Sequence, residues 1–192
     1  MSTINIVGTG GIIEGDLDAA NVDVNLDPVY GKFATTSKVT SAHTDFDNLF
    51  TTSGSATSCI SAWIHPTTTS SGRIFSKDWL LQLREESGGK FKVRFVSQHA
   101  DTAGAWTTSG TYSHPVPVNT WTHVAVVYEE DSVSYNPFIY INGVKFGVGE
   151  SSGYTLNEDA TPAGARDDSG TDFHIGLGSD GNSSMAGYIM DV

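Results

Sequence analysis

The chain has 192 residues, which suits a single domain, and 38% of them are hydrophobic, which is enough to bury a core. Its 21 glycines favour a protein of strands and turns over a helical one. The formal net charge of −12 argues against nucleic acid and anionic membranes as partners, because their phosphate groups would repel the protein.

Short apolar runs separated by turn residues predict β-strands along the whole chain. In order, the predicted strands are 4–8, 22–26, 32–42, 57–65, 72–77, 79–86, 90–99, 105–113, 120–130, 138–148, 172–179 and 185–192. Helix is predicted only as single turns around 45–50 and 157–160. The segment 149–171 is the longest predicted loop, and loops beyond about 12–15 residues are usually functional or disordered.

The alternation of side chains is clearest in KFKVRFV (90–96), where charged residues face one way and apolar residues the other. The Gly-Gly joint in ESGGK, just before it, predicts a hairpin. Strands that each bury one face are best satisfied when two sheets pack together. The sequence therefore predicts an all-β protein, a two-sheet antiparallel jelly-roll β-sandwich.

Residues 119–147 read NTWTHVAVVYEEDSVSYNPFIYINGVKFG and are followed later by DFHIGLGS and GYIMDV. A Trp-x-His-Val-Ala strand ends in Tyr, a Tyr-Ile-Asn-Gly turn follows, and an Ile-Gly and a Gly-x-Ile-Asp come near the end. The residues that carry this pattern are Trp121, His123, Val124, Ala125, Tyr128, Tyr140, Asn142, Gly143, Ile175, Gly176, Gly187, Ile189 and Asp191. Their order resembles the laminin G-like and concanavalin A-like domains, which include pentraxin-like jelly rolls.

The resemblance covers residues 38–192 and implies the sandwich fold for this part. Within it, Asn142-Gly143 is predicted to form a two-residue turn with positive φ angles, and Gly187 to let its strand approach a neighbour closely. Residues 1–37 have no counterpart and form either an arm or extra strands. Members of the family usually continue a few residues further, which leaves truncation of the last strand at Val192 open.

A β-sandwich recognises sugars with exposed aromatic side chains flanked by polar groups. Trp106, in the polar run DTAGAWTTSGTY, is predicted to be partly exposed, whereas Trp63 and Trp121 are expected in the core. The long loop supplies further polar candidates. The predicted ligand-binding residues are Trp106, Tyr112, Tyr154, Asn157, Asp159 and Arg166.

Calcium is the cofactor that the resemblance implies, because relatives bind it at the rim of the sandwich. Carboxylate and amide oxygens are the ligands that calcium prefers. The runs DFDN and SDGN supply Asp45, Asp47, Asp180 and Asn182 as candidate ligands. Turns in which Asp and Asn bond the nearby backbone explain the same residues without a metal.

Catalysis is not predicted. Glu14, Asp16 and Asp18 have a spacing that places carboxylates on one strand face, as in laminarinase-type hydrolases, but they lie outside the region of resemblance. The single cysteine, Cys59, lies in an apolar run and is expected to be a small buried residue rather than a nucleophile.

The favoured function is a non-enzymatic recognition or adhesion module that binds carbohydrate or a glycosylated surface. The alternatives are a structural or decoration protein of a phage-like virion, and a jelly-roll glycoside hydrolase or polysaccharide lyase. The N-terminus lacks the basic and apolar segments of a secretory signal. We expect an extracellular or virion-surface protein that forms homo-oligomers or is attached to a larger chain or particle.

Overall fold

The computed structural model describes residues 38–42, 57–77, 79–129, 136–164, 171–176 and 183–192. Of Thr57, Glu129 and residues 1–37, only strand backbone is described. All regular elements in these ranges are β-strands. They are β1 (Ile6–Gly8), β2 (Gly11–Ile13), β3 (Asp16–Leu17), β4 (Val22–Leu26), β5 (Val29–Phe33), β6 (Val39–Ser41), β7 (Thr57–Pro66), β8 (Gly72–Ser76), β9 (Trp79–Ser87), β10 (Lys90–Ser97), β11 (Gly104–Ser109), β12 (Val116–Pro117), β13 (Thr122–Glu129), β14 (Phe138–Ile141), β15 (Val144–Val148), β16 (Thr155–Ala160), β17 (Phe173–Ile175) and β18 (Gly187–Met190).

The strands form two antiparallel sheets, which confirms the predicted β-sandwich. The first sheet has the order β3-β6-β17-β8-β9-β10-β11-β16, and β12 pairs with one end of β10. The second sheet has the order β15-β14-β13-β7-β18-β5-β4. The sheets are joined along one side by a short parallel pairing, in which Gly147 and Val148 of β15 lie opposite Thr155 and Leu156 of β16. β1 and β2 form a separate hairpin.

The core lies between the two sheets and is filled by alternate residues of each strand. Phe91, Val93 and Phe95 of β10 are fully buried, while Lys92 and Arg94 between them lie on the outer face. This confirms the alternation predicted for residues 90–96. Each fully buried large apolar side chain contributes about 1.5–3 kcal/mol to folding.

Two glycine-dependent features predicted from the sequence are also present. Asn142 and Gly143 connect β14 to β15 with φ angles of 49° and 79°, as a two-residue hairpin turn requires. A Cβ atom on Gly187 would lie 2.1 Å from the backbone oxygen of His65, so only glycine fits at this point of the antiparallel pairing between β18 and β7. The two glycines, Gly143 and Gly187, therefore fix the geometry of the second sheet.

The predictions of a loop at 149–171 and of a helical turn at 157–160 are both wrong where the structure has strand β16 (Thr155–Ala160). This strand pairs with β11 on one side and with β15 on the other. Leu156 is its one buried residue, and the remaining residues are exposed or half-buried. A strand so polar gives little apolar alternation, so the sequence signal was too weak to show it. The other helical turn, at 45–50, lies outside the described residues.

The predicted strand 138–148 is two strands, β14 and β15, joined by the Asn142-Gly143 turn. Within the described ranges, no helix is long and apolar enough to cross a membrane.

Candidate functional site

A cleft of about 260 Å³ lies on the outer face of the first sheet, across β9, β10, β11 and β16. We call it the sheet cleft. Its lining is polar and charged, and it comes from four adjacent strands. The residues that line it are Arg84, Glu85, Lys92, Arg94, Thr107, Thr108, Ser109, Asn157 and Asp159.

Strand register brings these side chains together. Lys92 of β10 lies opposite Arg84 of β9, and Arg94 lies opposite Thr107 of β11. Thr107 in turn lies opposite Asn157 of β16. Because adjacent strands are about 4.8 Å apart, side chains on one face of neighbouring strands are within reach of each other. The cleft is therefore built on hydrogen-bonded strands rather than on loops.

Contacts within the sheet cleft hold some of its charged groups in place. Lys92 Nζ lies 3.0 Å from Glu85 Oε2. Thr107 Oγ1 donates a 2.6 Å hydrogen bond to Asp159 Oδ2, and the same oxygen lies 3.9 Å from Arg94 Nε. That last separation is an ion pair but too long for a hydrogen bond.

Neighbouring charges shift the pKa values of two groups in the sheet cleft, Glu85 and Arg94. The pKa of Glu85 is lowered by the hydrogen bond and then the charge of Lys92, so its carboxylate stays ionised. The pKa of Arg94 is lowered first by burial and then by the positive charge of Arg84, while Asp159 opposes this effect. Arg84 and Arg94 are thus close enough for their charges to repel each other.

Among the predicted ligand-binding residues, Asn157 and Asp159 line the sheet cleft. Tyr112 and Tyr154 do not line it, but each lies three residues along the chain from a cleft residue, Ser109 and Asn157 respectively. The two tyrosine rings stack on each other, with centroids 4.2 Å apart and planes inclined by 9°. Tyr112 is 49% exposed, whereas Tyr154 packs against the core through Phe146. The pKa of Tyr154 is raised by its partial burial and then by Tyr112.

The prediction that Trp106 is partly exposed is wrong, because its side chain is fully buried. The indole Nε1 donates a 2.7 Å hydrogen bond to Asn136 Oδ1, and the ring packs against Phe95 and Tyr128. The polar run around it misled the prediction. On β11 the inner face holds Trp106, and Thr107 beside it points into the sheet cleft. Trp106 therefore supports the cleft from behind and cannot stack on a ligand.

The placement of Trp63 and Trp121 in the core is also wrong. They lie on the outer face of the second sheet, where Trp63 is 37% exposed and Trp121 half-buried. Trp63 packs edge-on against His123, and Trp121 packs against His65. On β7 the core is filled instead by alternate residues, Ile60, Ala62 and Ile64.

The expectation that Cys59 is buried is wrong for the same reason, since it shares the outer face of β7 with Trp63 and is exposed. Partial desolvation raises the pKa of its thiol, which reduces the reactive thiolate at neutral pH.

The remaining predicted site residues cannot be placed. Asp45, Asp47, Asp180 and Asn182, the candidate calcium ligands, lie outside the described residues, as does Arg166. In the part of the chain that the structure describes, no group of three or more His, Cys, Asp or Glu residues could hold a metal ion. Calcium binding therefore stays a prediction.

Sequence reasoning noticed that Lys92 and Arg94 share a face, but it did not recognise the cleft. The missing information was register. Arg84, Thr107 and Asn157 come from three other strands, and no local pattern shows which residues of those strands lie opposite β10.

The fold is shared with a solved structure described as the binding domain of Botulinum neurotoxin DC in complex with rat synaptotagmin II. The TM-score is 0.52 at 14% sequence identity, and the match covers 98% of this chain. The chain spans about half (47%) of the length of that structure. No curated protein sequence matches this chain. The family model described as "Concanavalin A-like lectin/glucanases superfamily" (Laminin_G_3) matches residues 33–192, and the chain belongs to this superfamily.

Proposed function

We propose that this protein is a non-enzymatic recognition module that binds carbohydrate, on a glycan or a glycosylated surface, through the sheet cleft. The observation that carries the proposal is the row of hydrogen-bonding side chains held on adjacent strands. Thr107, Ser109 and Asn157 offer hydroxyl and amide groups, and the arginines offer fixed N–H donors. A ligand rich in hydroxyl groups is matched by such a lining.

The rigidity of the lining supports binding. The four strands pair continuously from β9 to β16, so the cleft side chains start from fixed backbone positions. Trp106, Phe95 and Tyr128 pack behind them with ring centroids 5.3–6.0 Å apart. Binding groups held in this way lose little conformational freedom when a ligand arrives.

A pair of stacked tyrosines lies close to the cleft residues along the chain. Tyr112 lies three residues after the cleft residue Ser109. It is 49% exposed, and its ring stacks on that of Tyr154. Tyrosine combines a flat apolar ring with a polar hydroxyl group, which suits the mixed surface of a sugar ring. Tyr112 is therefore the best placed of the predicted aromatic residues to contact a bound glycan.

The state of the cleft carboxylates favours binding over hydrolysis. A glycosidase needs a carboxylic acid with a raised pKa to protonate the leaving oxygen. Glu85 has a lowered pKa, and Asp159 accepts a hydrogen bond from Thr107 while lying beside Arg94. Glu85 therefore does not have the raised pKa that a general acid needs.

A glycan array probed with the purified protein tests the proposal, followed by titration of the best ligand against two variants. Asn157→Ala should weaken binding about tenfold, the equivalent of about 1.4 kcal/mol, because it removes an amide from the cleft. The matched control is Lys145→Gln on the second sheet. Lys145 pairs with the exposed Glu150 and lies over the ring of Phe138, away from the cleft residues, and this variant should bind normally.

An array without any retained glycan, or binding that Asn157→Ala leaves unchanged, would overturn the proposal. A stable oligomer combined with an empty array would favour the decoration of a particle instead. Light scattering coupled to size-exclusion chromatography measures the oligomer on the same sample.

A further inference from the structure

Positive charge is concentrated in the sheet cleft of an otherwise acidic protein. The chain has only 10 Lys and Arg residues against 22 Asp and Glu residues. Three of these cations, Arg84, Lys92 and Arg94, line the cleft, together with the carboxylates of Glu85 and Asp159. The lining therefore carries one more cation than carboxylate, while the whole chain has a formal charge of −12.

The two carboxylates satisfy only part of this positive charge. Glu85 is bound to Lys92 at 3.0 Å, and Asp159 is held by the hydroxyl of Thr107 at 2.6 Å. Within the described ranges, no carboxylate lies within 4 Å of the Arg84 guanidinium. Lys92 is therefore paired, and the arginines retain free capacity for an acceptor.

The surroundings of Arg94 are unfavourable to its positive charge. Its Nε is buried and has no hydrogen-bond partner, because the nearest carboxylate oxygen, on Asp159, is 3.9 Å away. A buried charged donor without an acceptor is costly. The neighbouring charge of Arg84 adds repulsion, which contributes to the lowered pKa of Arg94. An anion placed between the two side chains would relieve this repulsion.

We propose that the glycan bound in the sheet cleft is acidic, and that Arg84 and Arg94 bind its carboxylate or sulfate group. This inference rests on the proposed glycan-binding function. The planar guanidinium presents its N–H donors in a fork that matches the oxygens of either anion. Thr107, Ser109 and Asn157 would face the sugar hydroxyls on the same side of the sheet.

The acidity of the whole chain makes the inference easier to test. A protein with a net charge of −12 repels polyanions at long range, so general electrostatic attraction does not explain their retention. Salt screens this repulsion over about 8 Å at physiological ionic strength but acts much less on partly buried contacts. Retention of an acidic glycan would therefore indicate contacts made inside the cleft.

Biolayer interferometry with three immobilised polymers tests the inference: polygalacturonate, dextran sulfate and neutral dextran. The wild-type protein should bind at least one acidic polymer, and the two acidic polymers distinguish carboxylate from sulfate. Arg84→Gln and Arg94→Gln should each weaken that binding at least tenfold. Arg94→Lys should recover only part of it, because lysine restores the charge without the fork.

Lys145→Gln is the matched control, since it removes one positive charge from the second sheet. An equal loss in this variant would overturn the inference in favour of unspecific charge effects. Arg84→Gln keeps the test valid should Arg94→Gln fold poorly, because Arg84 makes no described ion pair. Preference for neutral dextran, or for neutral glycans on the array, would refute the acidic ligand and leave the glycan-binding function standing. Absence of binding to all three polymers and to every glycan on the array would refute both the acidic ligand and the glycan-binding function.

Discussion

Replacing Trp106 by phenylalanine tests the interior that supports the sheet cleft. The indole is fully buried, and its Nε1 donates a 2.7 Å hydrogen bond to Asn136 Oδ1. Loss of this hydrogen bond lowers the stability by about 1 kcal/mol. Each buried apolar carbon that is removed lowers it by about a further 0.8 kcal/mol. The smaller phenyl ring also leaves a gap beside Phe95 and Tyr128. We expect Trp106→Phe to lower the free energy of unfolding by about 3 kcal/mol.

The assay is equilibrium unfolding in urea, followed by far-UV circular dichroism because both variants remove a fluorophore. Trp63→Phe is the matched control, since Trp63 is 37% exposed, and it should cost less than about 1 kcal/mol. A double-mutant cycle with Asn136→Ala should show a coupling of about 1 kcal/mol through the hydrogen bond. Equal costs for Trp106→Phe and Trp63→Phe would refute the assignment of Trp106 to the core.

Three further predictions concern the backbone, pH and calcium. Gly187→Ala should destabilise the protein by about 3 kcal/mol or more in the same urea assay, because its Cβ would lie 2.1 Å from the His65 oxygen. Gly88→Ala, with a φ of 58° but nothing within 4 Å, should cost about 1 kcal/mol, and equal costs would contradict the steric argument. The pKa of His174 is lowered by burial and then by the charge of Lys38, while Asp172 opposes the shift. Its stabilising effect is therefore complete above the unfolded pKa of about 6.5 and is lost as the pH falls from there through the lower folded pKa. His174→Gln should lose less stability than the wild type between neutral pH and pH ~5, and identical pH profiles would contradict this. If Asp45, Asp47, Asp180 or Asn182 bind calcium, millimolar calcium should raise the melting temperature relative to EDTA, and an unchanged temperature would count against the site.

The sequence predicted best where a single rule decides the structure. Charged and apolar residues alternate strictly in residues 90–96, so the inner and outer faces of β10 could be told apart before the structure was known. Asn142-Gly143 and Gly187 were equally clear, because few residues adopt the turn conformation and none but glycine fits against His65. These local constraints also identified the superfamily.

Prediction was poorest where both faces of a strand are apolar or where neither is. β7 carries Cys59 and Trp63 on its outer face and Ile60, Ala62 and Ile64 on its inner face, so hydrophobicity alone placed Trp63 in the core. β16 has one buried residue, Leu156, and was taken for a loop. The sheet cleft depends on which residues of four strands lie opposite each other, and register is a property of the folded sheet rather than of any one segment.

The order of the strands has a consequence for the handling of this protein. The parallel pairing of β15 with β16 closes one side of the sandwich, and β3 and β4 are the outermost described strands on the other side. Both belong to the first 37 residues. A fragment that lacks residues 1–37 would lose β3, β4 and β5 and leave one edge of β6 and one edge of β18 unpaired. Exposed strand edges of this kind recruit strands from other molecules. We therefore expect that shortening the chain to residues 38–192 would promote self-association through these edges.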